Sequence, residues 1–416
     1  KQAVIKIKRT NLAERLYRIT GTGIYRDTRL LGLQPPIDLP AMNSRVLGSD
    51  SVVNAIYRDK LYWFWGDTNR LKYPLGNFQV TGATSPLPES INPSNGIELN
   101  YFTGPDGFTR PMAPVQGKGP TWIFGVFVTH DPEGKPRLVA KYEKVRQSMA
   151  AYQRGLVLFD DATQQFKKWV EFELQAPLFP AGQSLQRVVG ERNYVFFATP
   201  FPLVRVLNDF KSIQDTRNYE AYTYFKPGKP ITRDKNGKLQ VTADHLERDA
   251  NQKLVTHWKK KAHPLSPQLE QQLVQQKLIQ RDEAISLLSD RLADPEPKSK
   301  TIILSSGSVA WNAYRKKWIL IAVQAWGTSM LGELWYAEAD QPEGPWSEAI
   351  KIVSHDNYSF YNPRHHPYFD QDGGKTIFFE GTYTKSFSGT QSETPWYDYN
   401  QIMYKLDLEK IRFPTE

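Results

Sequence analysis

The stretch LGSDSVVNAIYRDKLYWFWGDTN, residues 47–69, decides the fold. β-Branched and aromatic residues run on both sides of a polar Arg58-Asp59-Lys60 turn, a hairpin pattern rather than a helical one. With the turn centred on Arg58-Asp59, residues whose numbers add to 117 face one another, and Asp50 faces Asp67. Opposed side chains of an antiparallel pair have Cβ atoms roughly 4.5–5.5 Å apart. Two carboxylates at that spacing repel unless a cation or a shared proton relieves them. The pair therefore points to chemistry rather than packing. A one-residue slip in register would send the two side chains to opposite faces.

Similar units recur down the chain. TWIFGVFVTHDPEGKPRLVAKYEKV (121–145) is followed by RGLVLFDDATQQFKKWVEF (154–172), and LQRVVGERNYVFFATPF (185–201) makes a third unit. SGSVAWNAYRKKWILIAVQ (306–324) with GELWYAEADQPEGPWSEAIKI (332–352) makes a fourth. RHHPYFDQDGGKTIFFEGTYT (364–384) makes a fifth, to which YNQIMYKLDL adds an outer strand. Repeated small antiparallel sheets without βαβ helices predict an all-β chain, a five-bladed β-propeller over residues 1–416. The divergence of the units leaves four or six blades open, and a β-sandwich is the alternative architecture. A strand within Ala3–Lys8 is expected to close the last blade.

Residues 242–294 break the pattern and predict a helical insertion between blades three and four. Ser266-Pro267 is a helix start, with Leu269, Leu273 and Leu278 near helical spacing behind it. RDEAISLLSDRL predicts a second short helix. The segment would act either as a packing clip on the rim or as a lid over the active face.

Composition sets the outer bounds. The 416 residues are 40% hydrophobic and 13% aromatic, enough for a substantial core. No run approaches the roughly 18 apolar residues of a membrane helix. The absence of cysteine removes disulfides, thiolate metal sites and cysteine nucleophiles. A net charge of +9 favours an anionic partner. Its scattered basic residues, without a recognised motif, argue against nucleic acid. There is no phosphate loop with its lysine and no G-x-S-x-G elbow.

Other candidate residues lie in the later units. With the fifth turn centred on Asp372-Gly373, opposed residues add to 745, which pairs His365 with Glu380. Asn362, Arg364 and His366 stand beside them. Glu333, at the start of an outer strand, is a further carboxylate or else a solvated strand end. Trp65, Trp311, Trp326 and Tyr361 are candidates for stacking on sugars, each competing with a core role. Arg45, Asn69 and Arg70 flank the first pair, the arginines as an anion subsite. Adjacent histidines on a strand face opposite ways, so they make a poor zinc site. No cofactor is expected, and an ion in the central channel is left open.

At these residues the sequence resembles the five-bladed propeller glycosidases of the arabinanase-like superfamily, with more similarity to the bacterial domain family that includes endo-D-arabinanases. The resemblance is carried by Asp50 in GSDSVV and Asp67 in WFWGDT. It implies that these are the nucleophile and the acid/base. It further implies a carbohydrate substrate, and a secreted or periplasmic bacterial protein that degrades polysaccharide. A later-blade general acid would fall to Glu333 or Glu380, although neither sits in a matching motif. The expected activity is glycoside hydrolysis of a polysaccharide or oligosaccharide, with retention implied by the short carboxylate spacing. The +9 charge suggests a sulfated or uronate-containing substrate, bound through Arg364, His365 and His366. Two rivals remain: a polysaccharide lyase using His365 or His366 with Tyr361, and a non-catalytic carbohydrate-binding propeller.

Overall fold

The computed structural model describes residue 6 and residues 9–146, 148–235, 239–290 and 301–413. Five antiparallel sheets carry the chain. The first holds Val52–Tyr57, Lys60–Trp65, Thr81–Ser85 and Asn100–Tyr101. The second holds Thr121–His130, Pro136–Val145, Ala151–Asp160 and Gln165–Phe172. The third runs Gln183–Val189, Arg192–Ala198, Val204–Leu207 and Glu220–Thr223, with His257–Lys260 at its edge. The fourth holds Leu304–Asn312, Lys317–Gln324, Glu333–Ala339 and Ile350–Ser354. In the fifth, Ser359–His365, Thr376–Thr384 and Asn400–Asp407 are joined by Glu14–Arg18.

The first strand of each sheet touches that of the next, and the fifth returns to the first. This makes a closed five-bladed propeller. Closure comes from Glu14–Arg18 pairing with the strand 400–407, which leaves no open edge between the two ends of the ring. The strand expected within Ala3–Lys8 falls mainly outside the described residues.

Each of the five gaps between neighbouring blades holds its own apolar cluster. The inner parts of the blades are therefore packed on both faces, which explains the nearly continuous apolar runs such as Leu61–Trp65. The first hairpin keeps the 117 register from Gly48↔Asn69 through Tyr57↔Lys60. Its two-residue turn leaves no slack, and Arg58 takes up the left-handed backbone that the turn needs (φ 55°).

The segment after the third blade differs from expectation. One helix forms, Pro267–Gln275, with Ser266 Oγ capping the Leu269 amide at 3.2 Å. Leu269 and Leu273 pack into the gap between blades three and four, so the helix is a clip in that gap. No second helix forms over the described part of RDEAISLLSDRL. Arg281–Glu283 is a single 3-10 turn, and Leu288–Ser289 pairs with Thr301–Ile302. The buried Glu270 carboxylate accepts from Tyr224 and from the Ile285 and Ser286 amides, and these bonds hold that stretch extended. His257–Lys260, within the expected insertion, is instead an edge strand of blade three.

Candidate functional site

Asp50 and Asp67 leave the ring at the end where the inner strands begin. The Asp50 amide donates to the Asp67 carbonyl at 2.9 Å, and the Gly66 amide donates to the Asp50 carbonyl at 2.8 Å. The two residues are thus opposed. Both side chains are half-buried, and the charge of Asp50 acts on Asp67.

Their surroundings differ. Four hydroxyls converge on Asp50. Ser51 Oγ lies 2.5 Å from Oδ1, Thr382 Oγ1 lies 3.4 Å from Oδ1, and Tyr399 OH lies 3.3 Å from Oδ2. The Tyr361 phenol is the fourth donor. Burial raises the Asp50 carboxyl, and these four donors offset only part of that rise. Among the described residues Asp67 has one side-chain donor, the Trp122 indole at 3.2 Å. Desolvation first, and the neighbouring Asp50 charge second, push Asp67 up to about 6. Asp50 is therefore favoured as the carboxylate and Asp67 as the acid.

Backbone strain is also present at this place. Ser51 (φ 35°), Asn362 (φ 50°) and Tyr399 (φ 56°) are non-glycine residues in the left-handed region. All three serve Asp50: Asn362 Nδ2 donates to Ser51 Oγ at 2.5 Å, and that hydroxyl bonds the carboxylate. Strain of this kind, of order 1–3 kcal/mol per residue, survives only where the surroundings enforce it. Thr382 is in turn held by Gln401 at 2.8 Å.

The remaining expected residues divide. Asn362 reaches the pair, and Asn69 is half-buried two residues beyond Asp67. Trp326 is exposed in the loop between the second and third strands of blade four. Arg45 is exposed, whereas Arg70 is committed to Asp106 at 2.6 Å and to the Phe108 ring. Trp65, expected to stack on sugar, is 1% exposed and packs on Trp63 and Tyr101. Burying an indole removes about 150–250 Å² from water, on the order of 4–6 kcal/mol. Stacking on a ligand at the rim returns far less, so the core takes this residue.

Glu333, expected to be a catalytic carboxylate or a solvated strand end, is not solvated. It is fully buried, accepting from the Thr328 amide at 2.7 Å and from the Thr328 hydroxyl, and it props up the Trp326 loop. Glu380, the other later-blade candidate, is also fully buried. Nε2 of His366 donates to it at 2.9 Å, because Nδ1 already accepts from Tyr368 and Asn54. Burial pushes the Glu380 carboxyl up to about 8 and pulls His366 well down.

The register expected for the fifth unit is off by one. Glu380 opposes Arg364, and His365 opposes Phe379. Two 3-10 turns, Pro367–Phe369 and Asp372–Gly374, fill the connection, and the ladder shifts between Tyr361 and Arg364, so the simple two-residue turn does not form. His365 bonds Asp370 at 2.8 Å. Arg364 spans the channel, donating to Gln183 Oε1 and to the Asn54 carbonyl (2.9 Å), while Gln183 donates to the Val52 carbonyl at 3.1 Å. Beyond this plug, at the other mouth, lies a cavity of about 500 Å³ lined by Asn54, Trp311, Arg364 and His365. Arg364, His365 and His366 are buried, and their bonds run to Gln183, Asn54, Asp370, Glu380 and Tyr368.

Sequence reading missed Ser51, Trp122, Thr382 and Tyr399. Trp122 lies 55 residues from Asp67, and Tyr399 lies 349 from Asp50, with no local signal linking them. No helix among the described residues is long and apolar enough to cross a membrane.

No family model matches the chain, and no curated protein matches it either. Distant likenesses exist among solved structures. A Bacteroides ovatus protein provisionally described as a hydrolase is 10% identical, with 89% of each chain covered and a TM-score of 0.48. The Penicillium chrysogenum α-L-arabinanase with arabinobiose is 11% identical, covering 97% of this chain and 100% of its own, with a TM-score of 0.41. The Phanerochaete chrysosporium exo-β-1,3-galactanase is 12% identical, with 87% of this chain and 61% of that one covered and a TM-score of 0.41. These likenesses are too distant to bear on chemistry.

Proposed function

We propose that the chain is a glycoside hydrolase in which Asp67 is the acid/base and Asp50 the nucleophile. The observation behind this reading is the asymmetry of the pair. One carboxyl carries four hydroxyl donors in a strained cradle, and its neighbour has one side-chain donor among the described residues and is pushed up to about 6. Two adjacent carboxyls kept in different protonation states are what glycosidic cleavage requires.

Asp67 gives its proton to the glycosidic oxygen as the C1–O bond breaks, so the leaving sugar departs as an alcohol. Asp50 attacks C1 and forms a glycosyl ester. Asp67, now ionised, takes a proton from water, which displaces Asp50 and releases the sugar with retained configuration. The opposed register supports retention, the outcome expected where the two carboxyl groups stand about 5 Å apart. The substrate is a polysaccharide or oligosaccharide, and the +9 charge favours sulfated or uronate-containing polymers.

Incubation with a panel of plant, bacterial and algal polysaccharides, followed by product analysis, tests this reading. Release of sugars by the wild type, loss in D50N and D67N, and an unchanged anomer in the first product by NMR are expected. Full activity in either variant removes the role assigned to that residue. Products absorbing in the ultraviolet would identify a lyase instead.

A further inference from the structure

The connection 385–399, between the second and third strands of blade five, brings Tyr399 to Asp50 and places an exposed ring beside the same carboxylate. Phe387 is 58% exposed, and its ring meets Tyr361 edge-on at 5.6 Å and 81°. Tyr361 itself donates to Asp50, so Phe387 stands one ring away from the carboxylate. Three aromatics of this loop, Phe387 (φ 71°), Trp396 (φ 67°) and Tyr399 (φ 56°), have left-handed backbone, which bulky residues seldom adopt.

The loop is fastened rather than loose. Arg18 donates to the Trp396 carbonyl at 2.6 Å, and Arg15 lies 4.8 Å from the Tyr397 ring. The Lys385 amide donates to Asp398 at 2.6 Å, and the Thr394 amide donates to Tyr358 at 2.7 Å. A strained backbone held firmly in order to present an apolar ring to solvent gains nothing from burial. The gain has to come from something that covers the ring. Trp396 is a weaker candidate, since Arg26 already lies 5.5 Å from its ring.

We propose that Phe387 is a stacking platform for the sugar ring seated over Asp50, and so a specificity-determining residue of the reaction proposed above. The C–H face of a sugar is an apolar surface that lies flat on an aromatic ring and excludes water from it. The proposal rests on the glycosidase reading for the position of the sugar, but binding and cleavage are measured separately.

The test is affinity electrophoresis of wild type, D50N, F387A and F387W in gels cast with arabinan, arabinogalactan, alginate, chondroitin sulfate or carrageenan. Retardation of wild type and D50N by at least one polymer, about fivefold to tenfold weaker in F387A and restored in F387W, supports the proposal. Retardation of F387A equal to wild type overturns it, and so does the absence of retardation in every gel. If F387A binds as wild type while D50N and D67N are inactive, stacking fails and the glycosidase reading stands. If F387A loses binding while wild type cleaves none of the polymers, the glycosidase reading fails and the stacking role stands.

Discussion

Replacing Asp67 by Asn should abolish activity and yet stabilise the fold, by an amount that depends on pH. The Asp67 carboxyl is raised from 3.8 to about 6 in the folded protein. A group whose folded pKa lies above its unfolded value holds its proton more tightly when folded. Folding is therefore unpenalised below pH 4, and stability is lost as pH rises through about 6. A shift of about two units corresponds to about 3 kcal/mol, and solvent access to this half-buried side chain reduces it to about 1–3 kcal/mol. Asn cannot ionise, so D67N avoids the loss. Denaturant midpoints of wild type and D67N at pH 4, 5.5 and 7, compared at equal slope, read the difference directly. It should be near zero at pH 4, grow through pH 6 and level off above pH 7. Turnover in D67N should fall by about 10²–10⁴, the usual worth of a positioned acid. A stability difference that does not change with pH, or that shrinks as pH rises, refutes the raised, desolvated acid and its role with it.

Y399F removes one of four donors from Asp50. A hydrogen bond to a charged group is worth about 1.5–3 kcal/mol, so kcat should drop by about tenfold to a hundredfold. The acid limb of the pH profile should move upward as Asp50 becomes easier to protonate, and an unchanged limb would show that the phenol does not support the carboxylate. E380Q should retain near-wild-type activity, because Glu380 is buried on His366 away from the pair. It should also flatten the loss of stability expected as pH rises through about 8, where the wild-type carboxyl ionises; loss of turnover in E380Q would restore it as a general acid. L273A should cost about 2–5 kcal/mol with activity retained below the melting range, since Leu273 is fully buried in the clip between blades three and four. Loss of activity without loss of stability would instead make that segment a lid.

The sequence by itself determined what depends on short-range geometry. Asp50 and Asp67 were found opposed because a two-residue turn after Tyr57 transmits register without error along the whole hairpin. The five strand-rich units were legible for the same reason: each is a local hairpin, and β-branched runs between polar turns cannot be mistaken for helix. The Ser266-Pro267 start was legible because a helix cap is a contact three residues long.

Only the tertiary structure decided the rest. Between His365 and Glu380 the connection winds into 3-10 turns, so counting across it put the partners of Arg364 and His365 one residue out, and the shift beyond them put those of Ser359–Tyr361 two out. Trp65, Glu333 and Glu380 looked like surface chemistry because alternation along a strand says which residues share a face. It does not say whether that face is covered, and in the inner parts of these blades both faces are. The hydroxyl cradle of Asp50 is drawn from Ser51, Tyr361, Thr382 and Tyr399, three of them more than 300 residues away along the chain. The ring closes by laying the last blade against the first, and that packing, which no local pattern records, gives Asp50 its hydroxyl donors and leaves Asp67 facing the Trp122 indole.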